Sequence, residues 1–274
     1  MHSQRLLTIL SLAAILSAGC NQMISTPEPF TVGPEAFNPN GSHIQGIAAS
    51  EEALYLSQAQ HLTKVDWTGK YLCSHAVPNH TGDLCWYDGE LYASLALSDS
   101  EAGPMADPTA GVGKIQVFDK DLNLVRETKI NRRTDGITCL DGVLYVGMGS
   151  KTQPSKDAHR INIIARFDAR TLKEIEPRVE FDYGYETNYG VQNITNDGKN
   201  IYFSFYSVAD APQIAVTDKD LNVISTKFLN ANQGLDVMPA RMSGGKLLFI
   251  KAKTHKTSNP AQVTCDLDYW TPEE

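Results

Sequence analysis

One short pattern recurs through most of this chain: an apolar strand, a tight turn and a second strand that ends in tyrosine. Four copies with the same internal spacing occupy residues 46–55, 83–92, 136–145 and 193–202, and a weaker copy occupies 243–249. Turns with Glu-Glu, Asp-Gly or Gly-Lys between short apolar strands are typical of β-hairpins. Each copy therefore predicts one hairpin.

A second pattern follows each hairpin, a strand that closes on an aspartate at a turn. These aspartates are Asp66, Asp119, Asp168, Asp218 and Asp266. A fourth strand comes after the turn, so the repeats predict an all-β fold, a five-bladed β-propeller with four-stranded antiparallel blades. The last copy has no fourth strand behind it. We expect the N-terminal strand Phe30–Val32 to close the ring there, because an open edge leaves backbone groups unpaired. A β-sandwich is the alternative fold.

Residues 1–19 have the features of a bacterial export signal, with one arginine, a short apolar stretch and small residues before a cleavage site. The segment Leu16–Cys20 resembles a lipobox, in which the cysteine receives a lipid such as palmitate and becomes the first residue of the mature chain. The resemblance implies an exported lipoprotein of the cell envelope, at the outer membrane, with membrane contact through that anchor only. An ordinary signal peptide with an incidental cysteine is the alternative. Residues 20–40 would then contain the lipidated cysteine, a tether and the closing strand, and residues 41–274 the propeller.

Four further cysteines lie in strand-like runs: Cys73, Cys85, Cys139 and Cys265. An exported protein can form disulfides, and four cysteines allow three pairings between which the sequence does not choose. Buried free thiols are the alternative. The spacings lack the Cys-x-x-Cys pattern of a structural zinc site.

The balance of charges argues against a nucleic-acid partner. The chain has 24 Lys and Arg against 32 Asp and Glu, a formal net charge of −8, and its basic residues form no long run. Binding to nucleic acid relies on basic patches that neutralise phosphates. We expect a monomer whose partner is a small polar or carbohydrate ligand.

The innermost strands of a propeller all begin on one face, and the loops between the second and third strands return to that face. Aligning the repeats brings polar residues to equivalent positions where the inner strands begin: His43, His80, Arg133, Gln45, Asp135 and Gln192. Two of the returning loops are long, with extra residues at 98–107 and 151–159. Long loops on one face of a rigid scaffold usually carry the function. The sequence therefore predicts a functional funnel around the axis on this face.

The polar residues near this predicted funnel suit three kinds of site. Candidates for acid–base catalysis are His43, His80, Asp83, Asp135 and Tyr189. Candidates for ligand binding are Gln45, Arg133, Gln192, Asn193, Gln233 and Asp236. The two histidines with Asp83 and Asp135 have donor types that hold a divalent cation such as Zn, Mn or Ca, and Arg133 suits a carboxylate. The alternative is a structural network of these groups with trapped water.

Four segments resemble those of a group of secreted bacterial five-bladed propellers: 43–48, 80–83, 134–138 and 188–193. The resemblance extends over nearly the whole chain after residue 19, and it implies the fold rather than a reaction. Gln45-Gly46 and Gln233-Gly234 resemble, more distantly, the glutaminyl cyclase propellers, which convert N-terminal glutamine to pyroglutamate. Those enzymes favour glutamate at several positions where this chain has Gln45 and Gln192, so the resemblance does not supply their general acid.

Two functions from different classes fit these patterns. In the first, a cell-envelope lipoprotein binds a small polar ligand, such as a glycan fragment, in its funnel. In the second, a glycan-active hydrolase or lyase uses the same histidines and aspartates. A glutaminyl cyclase-like transferase is a lesser alternative. A structural or protein-docking role is the third class, and the uneven loops favour a ligand over it.

Overall fold

The computed structural model describes residues 28–38, 43–78, 80–97, 111–150, 158–208, 210–258 and 261–272. Within these ranges the chain forms 20 β-strands in five four-stranded antiparallel sheets, the blades of a propeller. The predicted fold class is confirmed, and the β-sandwich alternative is wrong. The signal segment 1–19 and Cys20 lie outside the described residues, so the lipid anchor stays a prediction. No helix within the described ranges is long and apolar enough to cross a membrane.

The first strand, β1 (Phe30–Val32), precedes a single 3-10 turn (Pro34–Ala36). Blade 1 consists of β2 (Ile44–Ala49), β3 (Leu54–Gln58), β4 (His61–Val65) and β5 (Tyr71–Ala76). Blade 2 consists of β6 (Thr81–Tyr87), β7 (Glu90–Leu97), β8 (Val112–Phe118) and β9 (Leu124–Ile130). Blade 3 consists of β10 (Ile137–Leu140), β11 (Val143–Ser150), β12 (Asn162–Asp168) and β13 (Glu174–Phe181).

Blade 4 consists of β14 (Thr187–Asn196), β15 (Ile201–Ser207), β16 (Ile214–Thr217) and β17 (Val223–Lys227). Blade 5 consists of β18 (Leu235–Val237), β19 (Phe249–Ser258), β20 (Ala261–Trp270) and the N-terminal β1. The first strands of the blades contact one another, so they are the inner strands around the axis. In blade 5 the residues between β18 and β19 form turns rather than a tight hairpin, which explains why the fifth copy of the sequence pattern is weak.

The predicted closing strand is present. Phe30 lies opposite Leu267 and Val32 opposite Cys265, so β1 pairs with β20 as the outer strand of blade 5. Val32 is fully buried among apolar side chains of blades 1 and 5. The ring is therefore closed by residues from both ends of the described chain, which removes one open strand edge.

Two glycines allow the inner strands to approach closely at the axis. A Cβ atom at Gly46 of blade 1 would lie 2.5 Å from the Cα atom of Asp83 in blade 2. A Cβ atom at Gly82 would lie 2.7 Å from the carbonyl oxygen of Asp135, just before blade 3. Since these contacts are with backbone atoms that cannot easily move, only glycine fits at both positions.

In three of the four hairpins, the tyrosine that ends the hairpin has a structural role between blades. The Tyr55 hydroxyl of blade 1 donates to the carbonyl oxygen of Lys120 in blade 2 at 3.1 Å, and Tyr145 of blade 3 donates to Lys219 of blade 4 at 2.9 Å. Both acceptors lie in the repeated turns that follow the aspartates. These hydroxyls therefore join one blade to the next, whereas the Tyr202 hydroxyl donates to Asp197 of its own blade at 2.8 Å.

The four cysteines of the propeller are free thiols, of which Cys85, Cys139 and Cys265 are buried and Cys73 is partly exposed. The three buried thiols lie in the hydrophobic clusters that fill the space between blades. Of the two sequence alternatives, the structure has the free thiols. Apolar packing and backbone pairing thus hold the described blades together, rather than covalent cross-links.

Candidate functional site

A cavity of about 400 Å³ lies where the inner strands begin, and four blades contribute to its wall. We call it the funnel cavity. The residues that line it are His43, Gln45, His80, Arg133, Asp135, Tyr189, Gln192 and Tyr206. Seven of these eight were named as candidates from the sequence, six of them by the repeat alignment. The structure brings them together on one face, while their roles in binding or catalysis stay predictions.

Irregular strand pairing directs two amide side chains toward this cavity. The register of β2 against β3 shifts between Ile44 and Gly46, at Gln45. The register of β14 against β15 shifts twice, the second time between Val191 and Asn193, at Gln192. Such bulges change the direction of a side chain and are common beside functional sites. The strand irregularity thus supports the presence of both glutamines in the wall.

His80 and Asp135 form a pair of interacting titratable groups in the cavity wall. Burial lowers the pKa of His80; Asp135 opposes this effect and Arg133 adds to it. Burial raises the pKa of Asp135, while Arg133 and His80 oppose that rise. Both shifts favour the neutral forms because water is partly excluded from the site. The shifts therefore favour a protonated carboxyl and a neutral imidazole in the cavity wall.

His43 also lines the cavity, beside a tyrosine. Burial lowers its pKa, and the neighbouring His80 and Lys256 lower it further. Its Nε2 atom lies 3.4 Å from the hydroxyl of Tyr206. Burial, with contributions from Asp135 and Tyr189, raises the pKa of Tyr206. At neutral pH this region therefore presents an uncharged imidazole and a protonated phenol.

Tyr189 stands at the mouth of the funnel cavity in an unusual backbone conformation. Its φ is +62°, in the left-handed region, and 50% of its surface is exposed. Its ring packs edge to face against Tyr206, with ring centres 5.9 Å apart. A bulky residue at positive φ costs free energy, and such residues concentrate at functional sites. Tyr189 is thus held as an exposed aromatic surface over the cavity.

Tyr206 is the one lining residue that was not among the candidates named from the sequence. It lies near the end of β15, a second strand, whereas the sequence patterns draw attention to the starts of first strands. The antiparallel pairing of β15 with β14 returns it to the funnel side, where Asn188 lies opposite it. Residues near the end of a second strand can therefore also line the cavity, and the sequence could have been searched for polar residues at these positions.

Asp83 does not line the cavity, contrary to the expectation from sequence. It is completely buried on the axis below, where its Oδ2 accepts hydrogen bonds from the backbone nitrogens of Ile137 at 3.1 Å and Ile194 at 2.8 Å. Burial raises its pKa well above the usual range. This carboxyl joins the inner strands of blades 2, 3 and 4, so its contacts are structural.

Asn193 is not among the lining residues of the funnel cavity either, and its contacts are with other inner strands. Its amide nitrogen donates to Asp83 Oδ1 at 3.1 Å and to the carbonyl oxygen of Gln45 at 2.7 Å. The cation site proposed from His43, His80, Asp83 and Asp135 is therefore not assembled, because Asp83 lies below the cavity. In the part of the chain that the structure describes, no group of three or more His, Cys, Asp or Glu side chains is arranged to hold a metal ion.

Two further predicted residues lie away from the funnel cavity. Asp236 lines a cavity of about 470 Å³ at the opposite mouth of the axis, and its Oδ2 accepts a hydrogen bond from the backbone nitrogen of Ala49 at 2.7 Å. Because β18 has only three residues, Asp236 is level with the last residue of β2 and not with its first. Gln233 Oε1 accepts from the backbone nitrogen of Thr254 at 2.7 Å.

Gln233 lines a groove of about 740 Å³ over blade 5, which is larger than the funnel cavity. Among its charged groups, Lys251 is already paired with Asp268 at 3.2 Å. The funnel cavity is the stronger candidate because polar groups from four blades converge there, which is typical of binding sites.

No protein-family model matches this chain, and no curated protein is similar to it in sequence. Solved structures with a similar fold include two enzymes. The glutaminyl cyclase of Myxococcus xanthus has a TM-score of 0.55 at 12% identity, with 88% of this chain and 94% of the enzyme covered. The GH43_1 enzyme of Xanthomonas citri complexed with xylotriose has a TM-score of 0.54 at 12% identity, with 90% and 91% covered. At this identity the likeness concerns the fold, which by itself does not define a function.

Proposed function

We propose that this protein binds a small polar ligand, a carbohydrate fragment, in the funnel cavity. The observation that carries the proposal is the convergence of eight side chains from four blades on one cavity of about 400 Å³. Sites for small molecules typically measure about 300–1,000 Å³ and have a few converging polar groups in their walls. The funnel cavity has this size and this composition.

The lining residues match the hydrogen-bonding needs of a sugar. Sugar hydroxyls donate and accept, and Gln45 and Gln192 each offer an acceptor oxygen and a donor amide, while a neutral imidazole such as His43 offers one of each. The exposed ring of Tyr189 offers an apolar surface to the C–H face of a sugar ring. The fold is compatible with such a ligand, since the similar Xanthomonas citri structure is a complex with xylotriose.

A hydrolase or lyase acting on such a ligand is the second candidate. It is favoured by the pairing of His80 with Asp135 in the cavity wall. A carboxyl with a raised pKa can donate a proton and an imidazole with a lowered pKa can accept one, which are the roles of general acid and base. Glutaminyl cyclase-like chemistry has less support, because the eight lining residues do not include the glutamate that those enzymes favour.

Binding of sugars to the purified propeller tests the proposal. We expect a panel of mono- and disaccharides to include ligands whose binding is measurable by calorimetry. We expect His80→Ala to lower the affinity for these ligands at least tenfold. His255→Ala is the matched control, because His255 contacts Asp266 on blade 5, outside the funnel cavity. Unchanged binding in His43→Ala and His80→Ala would contradict the proposed site. Product release from a bound oligosaccharide, lost in Asp135→Asn, would instead support the enzyme.

We also propose that the propeller is exported and lipid-anchored in the cell envelope, at the outer membrane, through Cys20. The lipobox-like segment 16–20 supports this, and Asn21 after the cysteine is compatible with transfer to the outer membrane. Labelled palmitate should enter the wild-type protein in cells and not Cys20→Ser. An unlabelled wild-type protein would contradict the anchor and leave the funnel cavity unaffected.

A further inference from the structure

Arg133 is held in the wall of the funnel cavity by its aliphatic stem. A Cβ atom at Gly111 would lie 2.5 Å from the Cγ atom of Arg133, so the stem packs directly on the Gly111 backbone. Gly111 has a φ of +67°, which favours glycine further. The end of the long blade 2 loop and the start of blade 3 thus jointly orient this arginine at the cavity.

Several arginines among the described residues form ion pairs with carboxylates. Arg126 pairs with Glu90, Arg178 with Glu174 and Arg160 with Asp182. Over the ranges that the structure describes, no such pair within 4.0 Å is found for Arg133, although its charge acts on His80 and Asp135. A guanidinium group has five donors in a planar fork that matches a carboxylate.

On the basis of the proposed function, we infer that the ligand is an acidic sugar whose carboxylate is bound by Arg133 and whose ring lies against Tyr189. Arg133 supplies the charge, since a guanidinium group stays protonated at any physiological pH. Tyr189 supplies the flat apolar surface at the same mouth. The specificity for the acid thus belongs to one residue and the general affinity for a sugar ring to another.

Asp135 is the one lining carboxyl, and it would repel a carboxylate if it were ionised. Burial of Asp135 favours its protonated form. Arg133 and His80 lie close enough to offset the negative charge of the fraction that is ionised. In its protonated form the carboxyl is a hydrogen-bond donor. The cavity is therefore neutral to positive, although the whole chain has a formal net charge of −8.

The test compares two sugars that differ only in the acid, methyl β-glucuronide and methyl β-glucoside, by calorimetry with the whole propeller. We expect the wild type to prefer the glucuronide at least tenfold, and Arg133→Gln to reduce this preference to within twofold, mainly by weakening the binding of the glucuronide. Arg132→Gln is the matched control, because the neighbouring Arg132 does not line the cavity and its Nε donates to the carbonyl oxygen of Met148 at 2.9 Å. It should retain the preference.

Tyr189→Asn should weaken the binding of both glycosides by a similar factor, so the ratio of the two affinities should stay the same. Asparagine accepts the left-handed backbone conformation but lacks the aromatic ring. Tyr185→Asn, at an exposed tyrosine outside the cavity, should change neither. Equal binding of the two glycosides to the wild type, or a preference that survives Arg133→Gln, would overturn the inference and leave the proposed function standing. Binding of neither glycoside, nor of any sugar in the panel, would contradict the proposed function itself.

Discussion

Replacing Asp83 by alanine removes an acceptor on which three blades depend. Two buried backbone N–H groups, of Ile137 and Ile194, lose their hydrogen-bond partner. Each buried donor without a partner costs about 1–3 kcal/mol, so the free energy of unfolding should fall by roughly 2–6 kcal/mol. For a domain of this size 1 kcal/mol shifts the melting temperature by about 2–4 °C, which predicts a decrease on the order of 10 °C.

Asp83→Asn is the conservative counterpart. An amide oxygen can accept the same two N–H bonds, so only the contact with Asn193 is lost, at a cost of about 1 kcal/mol. The amide also stays neutral at every pH, whereas the buried carboxyl of the wild type can ionise. Burial raises the pKa of Asp83 above its value in the unfolded chain, so the folded state binds the proton more tightly. The stability contributed by this group is therefore complete below about pH 4 and decreases as the pH rises.

Thermal unfolding followed by circular dichroism from pH 4 to pH 8 tests both points. Asp83→Ala should melt well below Asp83→Asn at every pH. The melting temperature of Asp83→Asn relative to wild type should increase with pH, because only the wild type must ionise a buried group. Equal melting temperatures for the two variants would refute the structural role of this carboxyl. If the difference in melting temperature between Asp83→Asn and wild type did not depend on pH, the raised pKa of Asp83 would be refuted.

Three further predictions concern stability. Gly46→Ala should cost about 1–3 kcal/mol or more in chemical unfolding, because the new methyl group meets the backbone of Asp83. Tyr55→Phe should cost about 0.5–1.5 kcal/mol in the same assay by removing the bond to Lys120 between blades 1 and 2. Burial raises the pKa of Asp236 to about 6, so its contribution to stability should decrease by up to about 3 kcal/mol between pH 4 and pH 6, and Asp236→Asn should remove this decrease.

The predictions for Gly46 and Tyr55 each have a control on the same fold. Gly33→Ala should be mild, because its new methyl group meets only the flexible carboxylate of Glu35. Tyr71→Phe should be nearly neutral, since the hydroxyl of Tyr71 is exposed and contacts Ser74. Equal costs for Gly46 and Gly33 would contradict the close approach of the inner strands. Identical pH profiles for wild type and Asp236→Asn would contradict the raised pKa.

The sequence by itself determined the number of blades, the order of their strands and the closure of the ring by Phe30–Val32. These features depend on local patterns, such as turn residues between short apolar strands, and on the need to pair a strand edge. The repeat also grouped His43, His80 and Arg133 correctly on one face, because equivalent positions in a symmetric ring meet around its axis. A repeat of this kind predicts which residues share a face without any knowledge of their contacts.

Only the tertiary structure decided how deep each side chain lies and what it touches. Asp83 is only three positions after His80, yet it is buried on the axis, and the strand register shifts between Thr81 and Leu84. Backbone donors from other blades contact its carboxyl there. Asp236 lies at the opposite mouth because its strand is short, and Tyr206 reaches the cavity from a second strand. Bulges and strand lengths depend on contacts between blades that are distant in sequence. A pattern repeated along the chain therefore predicts the face of a residue, while the packing of the blades decides its depth and its partners.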